Sequence, residues 1–230
     1  MFLVNRSELE TRFDPYYSQG YFKEAFSALY RGNYPIYSIK SLSKLITSGI
    51  TPKSGGEAYT DDKETGIPFI RSGNIDINGD FDFEDLLYIK PEIHETVMKS
   101  SQVYKNDLMI AIVGATIGQV GIFLDEREAN INQAIALVRL KEGNNIQYIK
   151  ELIKSRVGQL SLNRLKRPVA RANINLEEIS TIKIPLPPLA KQQEIANHIY
   201  SIRQQAKQLQ EEGKTILENA KKEVEQMIIG

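Results

Sequence analysis

The chain has 230 residues, 41% hydrophobic and 25% charged, with no net formal charge and no cysteine. This is the composition of an ordinary folded globule, and it excludes disulfides, thiolate zinc sites and cysteine nucleophiles. The longest apolar run, Leu108–Val113, is too short to cross a bilayer, and "MFLVNRSELE" is charged too early for a secretory signal. A cytoplasmic protein is therefore expected. Two widely separated histidines, His94 and His198, offer little for a metal or a triad, so both are read as packing or surface residues.

The neutral total hides a segregated charge. Residues 57–95 hold eleven acidic residues against three basic ones, a net of −8. Residues 152–176 hold six basic residues and no acid. Local potential rather than net charge steers an anion, so a basic face on a neutral chain suits phosphate contact, although it also suits a solvated surface.

In chain order, residues 1–35 are rich in Tyr and Phe and carry short helical turns. From Ile36 to Leu140 the pattern is strands and turns: "YPIYSI", "IPFIR", "LLYI", "LMIAIV", "GQVGIFL" and "INQAIALVRL" are apolar runs bounded by Gly, Asn and Asp. One short helix interrupts them, "PEIHETVM", with Pro91 in its first turn. "IQYIKELIKSRVGQL" spaces Ile146, Ile149, Ile153, Val157 and Leu160 as one amphipathic helix. A basic loop, "NLEEIS" and a last strand at Ile182–Ile184 follow.

Then come three prolines, Pro185, Pro187 and Pro188. Each fixes its own φ and biases the residue before it toward extended geometry, which makes a stiff elbow ahead of a helix starting near Leu189. Beyond it Ile195, Ile199, Ile202, Ala206, Leu209, Gly213, Ile216 and Ala220 step by four and three, a heptad seam expected to pair with another helix. The fold expected is α+β: a mixed-sheet domain over 1–188, with 1–35 as a helical lead-in, and a long coiled-coil-type helix over 189–230.

Several motifs bear on function. "DPYY", Asp14–Tyr17, lies one residue from the D-P-P-Y signature of amino-methyltransferases. It lacks the second proline and any glycine-rich cofactor loop upstream, so it reads as a turn. "GATIGQVG" matches no phosphate-loop pattern and reads as a tight strand connection using glycine at positive φ. Arg71 and Asn74 are the residue types that read guanine and adenine edges, but they are also ordinary at strand ends. Asn132 and Gln133 are equally ambiguous. "RLKRPVARANIN", Arg164–Asn175, combines four cations, a proline and two asparagines in one loop, as a phosphate-clamping segment would. No carboxylate pair with a companion lysine marks a nuclease core.

With these pieces in order, the chain resembles the specificity subunit of type I restriction–modification systems, specifically one of the two repeats of such a subunit. The resemblance rests on "GITPKSGG", "GIPFIRSGNI", "DLMIAIVGATIGQVGIF" with "NQAIALVRL", and above all the strand–elbow–helix "IKIPLPPLAKQQEIANHI", spanning about residues 35–200. It implies a target-recognition domain for a half-site in double-stranded DNA, followed by a helix that pairs antiparallel with its counterpart and sets half-site spacing. It implies no catalysis and no cofactor in this chain. S-adenosylmethionine belongs to partner methyltransferase (modification) subunits, and a restriction subunit joins them. The expected DNA contacts are Lys53, Arg71, Asn74, Arg164, Lys166, Arg167 and Arg171, and the expected pairing residues are Ile195, Ile199, Ile202, Leu209 and Ile216. A single recognition domain implies a homodimer or pairing with a second half. The alternatives are an assembly module, or the recognition module of a fused restriction–methylation enzyme.

Overall fold

The computed structural model describes residues 16–230 apart from 23–26, 28, 30, 54, 168, 170 and 171. Asp14, Pro15 and Arg171 lie outside the described residues. In chain order the elements are β1 (Ile36–Ser38), α1 (Ile39–Leu42), β2 (Ser43–Ser48), β3 (Tyr59–Thr60), β4 (Ile67–Ile70) and β5 (Leu87–Ile89). Next are α2 (Pro91–Glu95), β6 (Gln102–Val103), β7 (Leu108–Ala111), β8 (Val120–Ile122), β9 (Ala129–Ile131) and β10 (Ile135–Leu140). The chain ends with α3 (Ile146–Lys154), α4 (Arg156–Leu165), α5 (Leu176–Ser180), β11 (Lys183–Pro185) and α6 (Leu189–Ile229). The α+β class and the long C-terminal helix are as the sequence implied.

A four-stranded antiparallel sheet, in the order β2-β10-β7-β8, is the centre of the domain. Side chains alternate across a strand, and here both faces are covered. Leu108, Ile110, Val120, Ala136 and Val138 meet Ile149 and Ile153 of α3 and Leu162 of α4 in one core. Met109, Ile135 and Leu137 point the other way, against Ile70, Val103 and Ile131 of a second sheet. This double burial explains why β7 reads as an unbroken apolar run rather than an alternating one. The second sheet has five strands in the order β3-β5-β4-β9-β6, with β4 and β9 parallel. β1 and β11 form a two-stranded ribbon.

Three runs are divided where the sequence suggested continuity. "YPIYSI" ends as β1 at Ser38, whose hydroxyl accepts from the Ser41 amide and starts α1. "INQAIALVRL" serves two sheets: β9 ends at Ile131 and β10 starts at Ile135, with Asn132–Ala134 crossing between them. The helix expected over "IQYIKELIKSRVGQL" breaks at Ser155, which is extended (ψ 163°). The Ser155 hydroxyl donates to the Leu152 carbonyl (2.6 Å) and accepts from the Gly158 amide (3.3 Å), so one residue ends α3 and caps α4. Of the histidines, His94 is buried, with Nε2 2.8 Å from the Glu128 carboxylate and Nδ1 against the Asn130 amide oxygen. His198 is exposed on α6.

The proline elbow is fastened at each step. Tyr148 donates its hydroxyl to the Pro185 carbonyl (2.7 Å), and the Leu186 amide donates to the Pro35 carbonyl (2.8 Å). The buried Gln192 amide donates to the Pro187 carbonyl (2.8 Å), while its oxygen accepts from the Asn145 amide (2.9 Å). Prolines remove donors but keep acceptors, and these partners satisfy the acceptors that a sharp strand–helix junction would otherwise orphan.

Candidate nucleic-acid interface

Strand direction brings distant loops to one rim. β10 runs antiparallel to both β2 and β7, so its start at Ile135 lies beside the ends of those two strands, at Ser48 and Ala111. Parallel pairing of β4 with β9 delivers the segments after Ile70 and Ile131 to the same place. Backbone hydrogen bonds knit the loops together. The Gly49 amide donates to the Asn132 carbonyl (3.3 Å), the Asn132 amide to Ile70 (3.0 Å) and the Ile112 amide to Ala134 (2.9 Å). A Cβ at Gly49 would sit 1.6 Å from the Ile131 carbonyl oxygen, so only glycine allows this approach.

The basic loop joins the same rim. The Ile174 amide donates to the Ile112 carbonyl (2.9 Å) and the Gly114 amide to the Ala172 carbonyl (3.0 Å), with a bridge between Val113 and Asn173. The "GATIGQ" turn is a strand connection as expected, with Gly114 and Gly118 at φ 74° and 99°. The rim thus gathers residues 49–51, the turn after Ile70, residues 112–114, the crossing 132–134 and residues 172–174 of the basic loop, with Lys53 and Arg167 a few positions further along the first and last of these segments. These positions are far apart in sequence.

The candidates differ in what their side chains are free to do. Lys53 and Arg167 are exposed. Arg167 makes one ion pair with Glu178 at 3.3 Å, a surface contact that costs little to exchange for a phosphate. Lys166 caps α4, and burial pushes its pKa below the usual lysine value. Arg164 is committed to packing: its Nε donates to the Tyr17 carbonyl (2.9 Å) and its guanidinium lies 3.8 Å from the Tyr17 ring centroid. It fastens the lead-in to α4. Arg71 is held by Asp85, with Nη2 donating to the carbonyl (2.7 Å) and the carboxylate (2.8 Å). Asn74 is buried, with its oxygen accepting from the Arg71 amide (2.9 Å) and its nitrogen donating to the Asp85 carbonyl (3.2 Å). Its amide shapes the turn and presents no edge to the rim.

Thr51, which the sequence did not single out, and two amides it left ambiguous, Gln133 and Asn173, also lie at the rim. Thr51 hydrogen-bonds the Gln133 side-chain oxygen, linking the β2 loop to the β9–β10 crossing. Gln133 itself is exposed. The available signal was the polar pair Asn132-Gln133 interrupting an apolar run. Asn173 is likewise exposed at the rim, beside Val113.

The pairing residues divide along α6. Ile195 packs against the domain core beside buried Ala196, and Ile199 is half-buried. Arg203 grips Glu151 of α3 with its two terminal guanidinium nitrogens (2.8 and 2.5 Å). Ile202, Leu209 and Ile216 are 51%, 67% and 68% exposed, so the uncovered seam begins at Ile202.

Residues 31–219 match the family model described as the type I restriction modification DNA specificity domain. The EcoBI specificity subunit of Escherichia coli is 33% identical over 140 residues, 60% of this chain and 29% of that protein. The StySPI specificity subunit of Salmonella potsdam is 27% identical over 136 residues, 58% of this chain and 28% of that protein. The matched stretch therefore spans under a third of these relatives' length. Among solved structures, the HsdS subunit from Thermoanaerobacter tengcongensis superposes with a TM-score of 0.55 at 16% identity, covering 80% of this chain and 43% of that one. The type IIG restriction endonuclease BpuSI gives 0.55 at 9% identity, covering 80% of this chain and 28% of that one. Both are likenesses of fold. By its sequence model the chain belongs to the type I restriction modification DNA specificity domain family.

Proposed function

We propose that the chain is the sequence-recognising, non-catalytic component of a type I restriction–modification complex, and that its rim lies against duplex DNA. The observation that carries this reading is the convergence of five separate loops, bearing Lys53, Gln133 and Arg167, at one end of the central sheet. Cations at the edge would hold phosphates and fix register, while exposed amides between them are the groups that read base edges. The uncovered part of α6 would pair with a second copy or a second half and set the spacing of the half-sites. Methyltransferase subunits, which carry S-adenosylmethionine, would dock on that assembly and supply the chemistry. A second setting for the same recognition role is a module fused to its enzyme; the type IIG restriction endonuclease BpuSI shares the fold over 28% of its length.

Selection from a random duplex library, with and without a modification subunit, tests the reading: an enriched bipartite motif is expected. Lys53→Ala with Arg167→Ala should weaken binding across all sequences and flatten the salt dependence, by about one unit of log–log slope per phosphate contact. Wild-type protein that enriches no motif, or a double variant with unchanged slope, overturns the assignment.

A further inference from the structure

The opposite end of the central sheet carries a surface of opposite character. Ile122, the last residue of β8, pairs with Leu108, the first of β7, so this end lies away from the Ala111 end that forms the rim. The turn 76–80 folds over β8: the Asp76 amide donates to the Asp80 carbonyl (2.9 Å), and Ile75 bridges to Phe81. Lys154 of α3 donates to the Asn78 carbonyl and pins the turn. Phe81 lies directly on Gly121, where a Cβ would come within 2.7 Å of the ring. An edge-on contact with Phe123 at 6.3 Å between centroids locks Phe81 in place.

The result is a cup of about 370 Å³ with an aromatic floor. Its lip carries Phe83, 47% exposed, and Leu124, 58% exposed. Apolar groups held open to water on a fixed backbone mark an interaction surface, since covering them recovers hydrophobic free energy without further ordering. The charges around the cup define the partner. Asp80, Asp82 and Glu84 are exposed and have no ion-pair partner among the described residues. The Asp125 carboxylate is paired with Arg127 at 2.9 Å, so the surplus rests on Asp80, Asp82 and Glu84. Lys150 on the α3 wall is largely covered and sits 3.6 Å from Glu151. A surplus of negative charge beside an apolar cup repels phosphate and attracts a cationic segment.

We propose that the cup is a docking site for a protein partner that inserts one aromatic or aliphatic side chain flanked by lysine or arginine. This surface is separate from the DNA rim and does not depend on it. Fluorescence anisotropy on the full chain tests it, using a labelled pentapeptide with a central phenylalanine between arginine pairs and an alanine-centred control. The phenylalanine peptide should bind about ten-fold more tightly than the control, as burial of one large apolar side chain implies. Leu124→Ser, and independently Phe83→Ser, should abolish that difference, and Asp80→Asn should weaken binding at low salt only. Both substituted apolar positions are exposed, so an unchanged unfolding midpoint checks the fold. Equal binding of the two peptides, or an unaffected pair of serine variants, overturns the proposal. So does a change in self-association by Leu124→Ser, which would make a second copy of this chain the occupant.

Discussion

Residues 189–203 and 204–229 belong to one helix and share one heptad rhythm, yet they live in different surroundings. In the first stretch Gln192 and Ala196 are buried, Ile195 meets the domain core, and Arg203 forks onto Glu151. In the second, every residue but Gly213 is exposed, including Leu209, Ile216, Leu217 and Val224. A heptad pattern records that a face wants cover. It does not record whose surface provides it. The root belongs to the folding of the domain, and the free length is left uncovered, open to the partner that the proposed function calls for.

Substitutions on either side should therefore separate cleanly. Leu209→Asp with Ile216→Asp should weaken self-association by on the order of a hundred-fold in sedimentation experiments, because two apolar layers per chain are lost. The unfolding midpoint of the domain should not move. A dimer that survives this double change would break the distinction. Ala196→Asp should do the reverse, lowering domain stability by about 3 kcal/mol in denaturant titration, since it buries an unpaired charge. Glu151→Ala, which frees Arg203, should cost about 2 kcal/mol, the typical worth of charged hydrogen bonds. The smallest effect is expected at Tyr148. Burial, more than any nearby charge, pushes its phenol up to about 12. The neutral phenol donates to Pro185, so its contribution is complete below pH 10 and fades as pH rises through about 12. Tyr148→Phe should be less stable by about 1 kcal/mol below pH 10 and converge on wild type above it, in unfolding midpoints measured from pH 9 to 12.

Much of this plan was legible in the sequence because its signals are local. Three prolines in five residues fix backbone angles wherever they occur, and the long helix follows from its own periodicity. What stayed hidden depends on contacts between distant segments. Arg164 in a basic loop looks like any other cation until Tyr17, 147 residues away, is found beneath it. Asn74 has the chemistry of a base reader, but the Asp85 carbonyl claims its amide. The helix break at Ser155 escaped notice because the apolar spacing runs through it undisturbed, while the serine hydroxyl bonds across both ends. The rim is a product of strand direction, which no single segment encodes.

The fastened elbow also has a mechanical meaning. A helix of 41 residues, Leu189–Ile229, is a lever arm about 60 Å long at 1.5 Å per residue. A swing of about 5° at its base would carry the tip about 5 Å sideways, more than the roughly 3.4 Å rise of one base pair along a strand. If that arm sets a distance along DNA, its angular tolerance is a few degrees. The bonds that Tyr148 and Gln192 make to proline carbonyls then act as the stops of the hinge, and loosening either would blur a measured length before it weakened any grip.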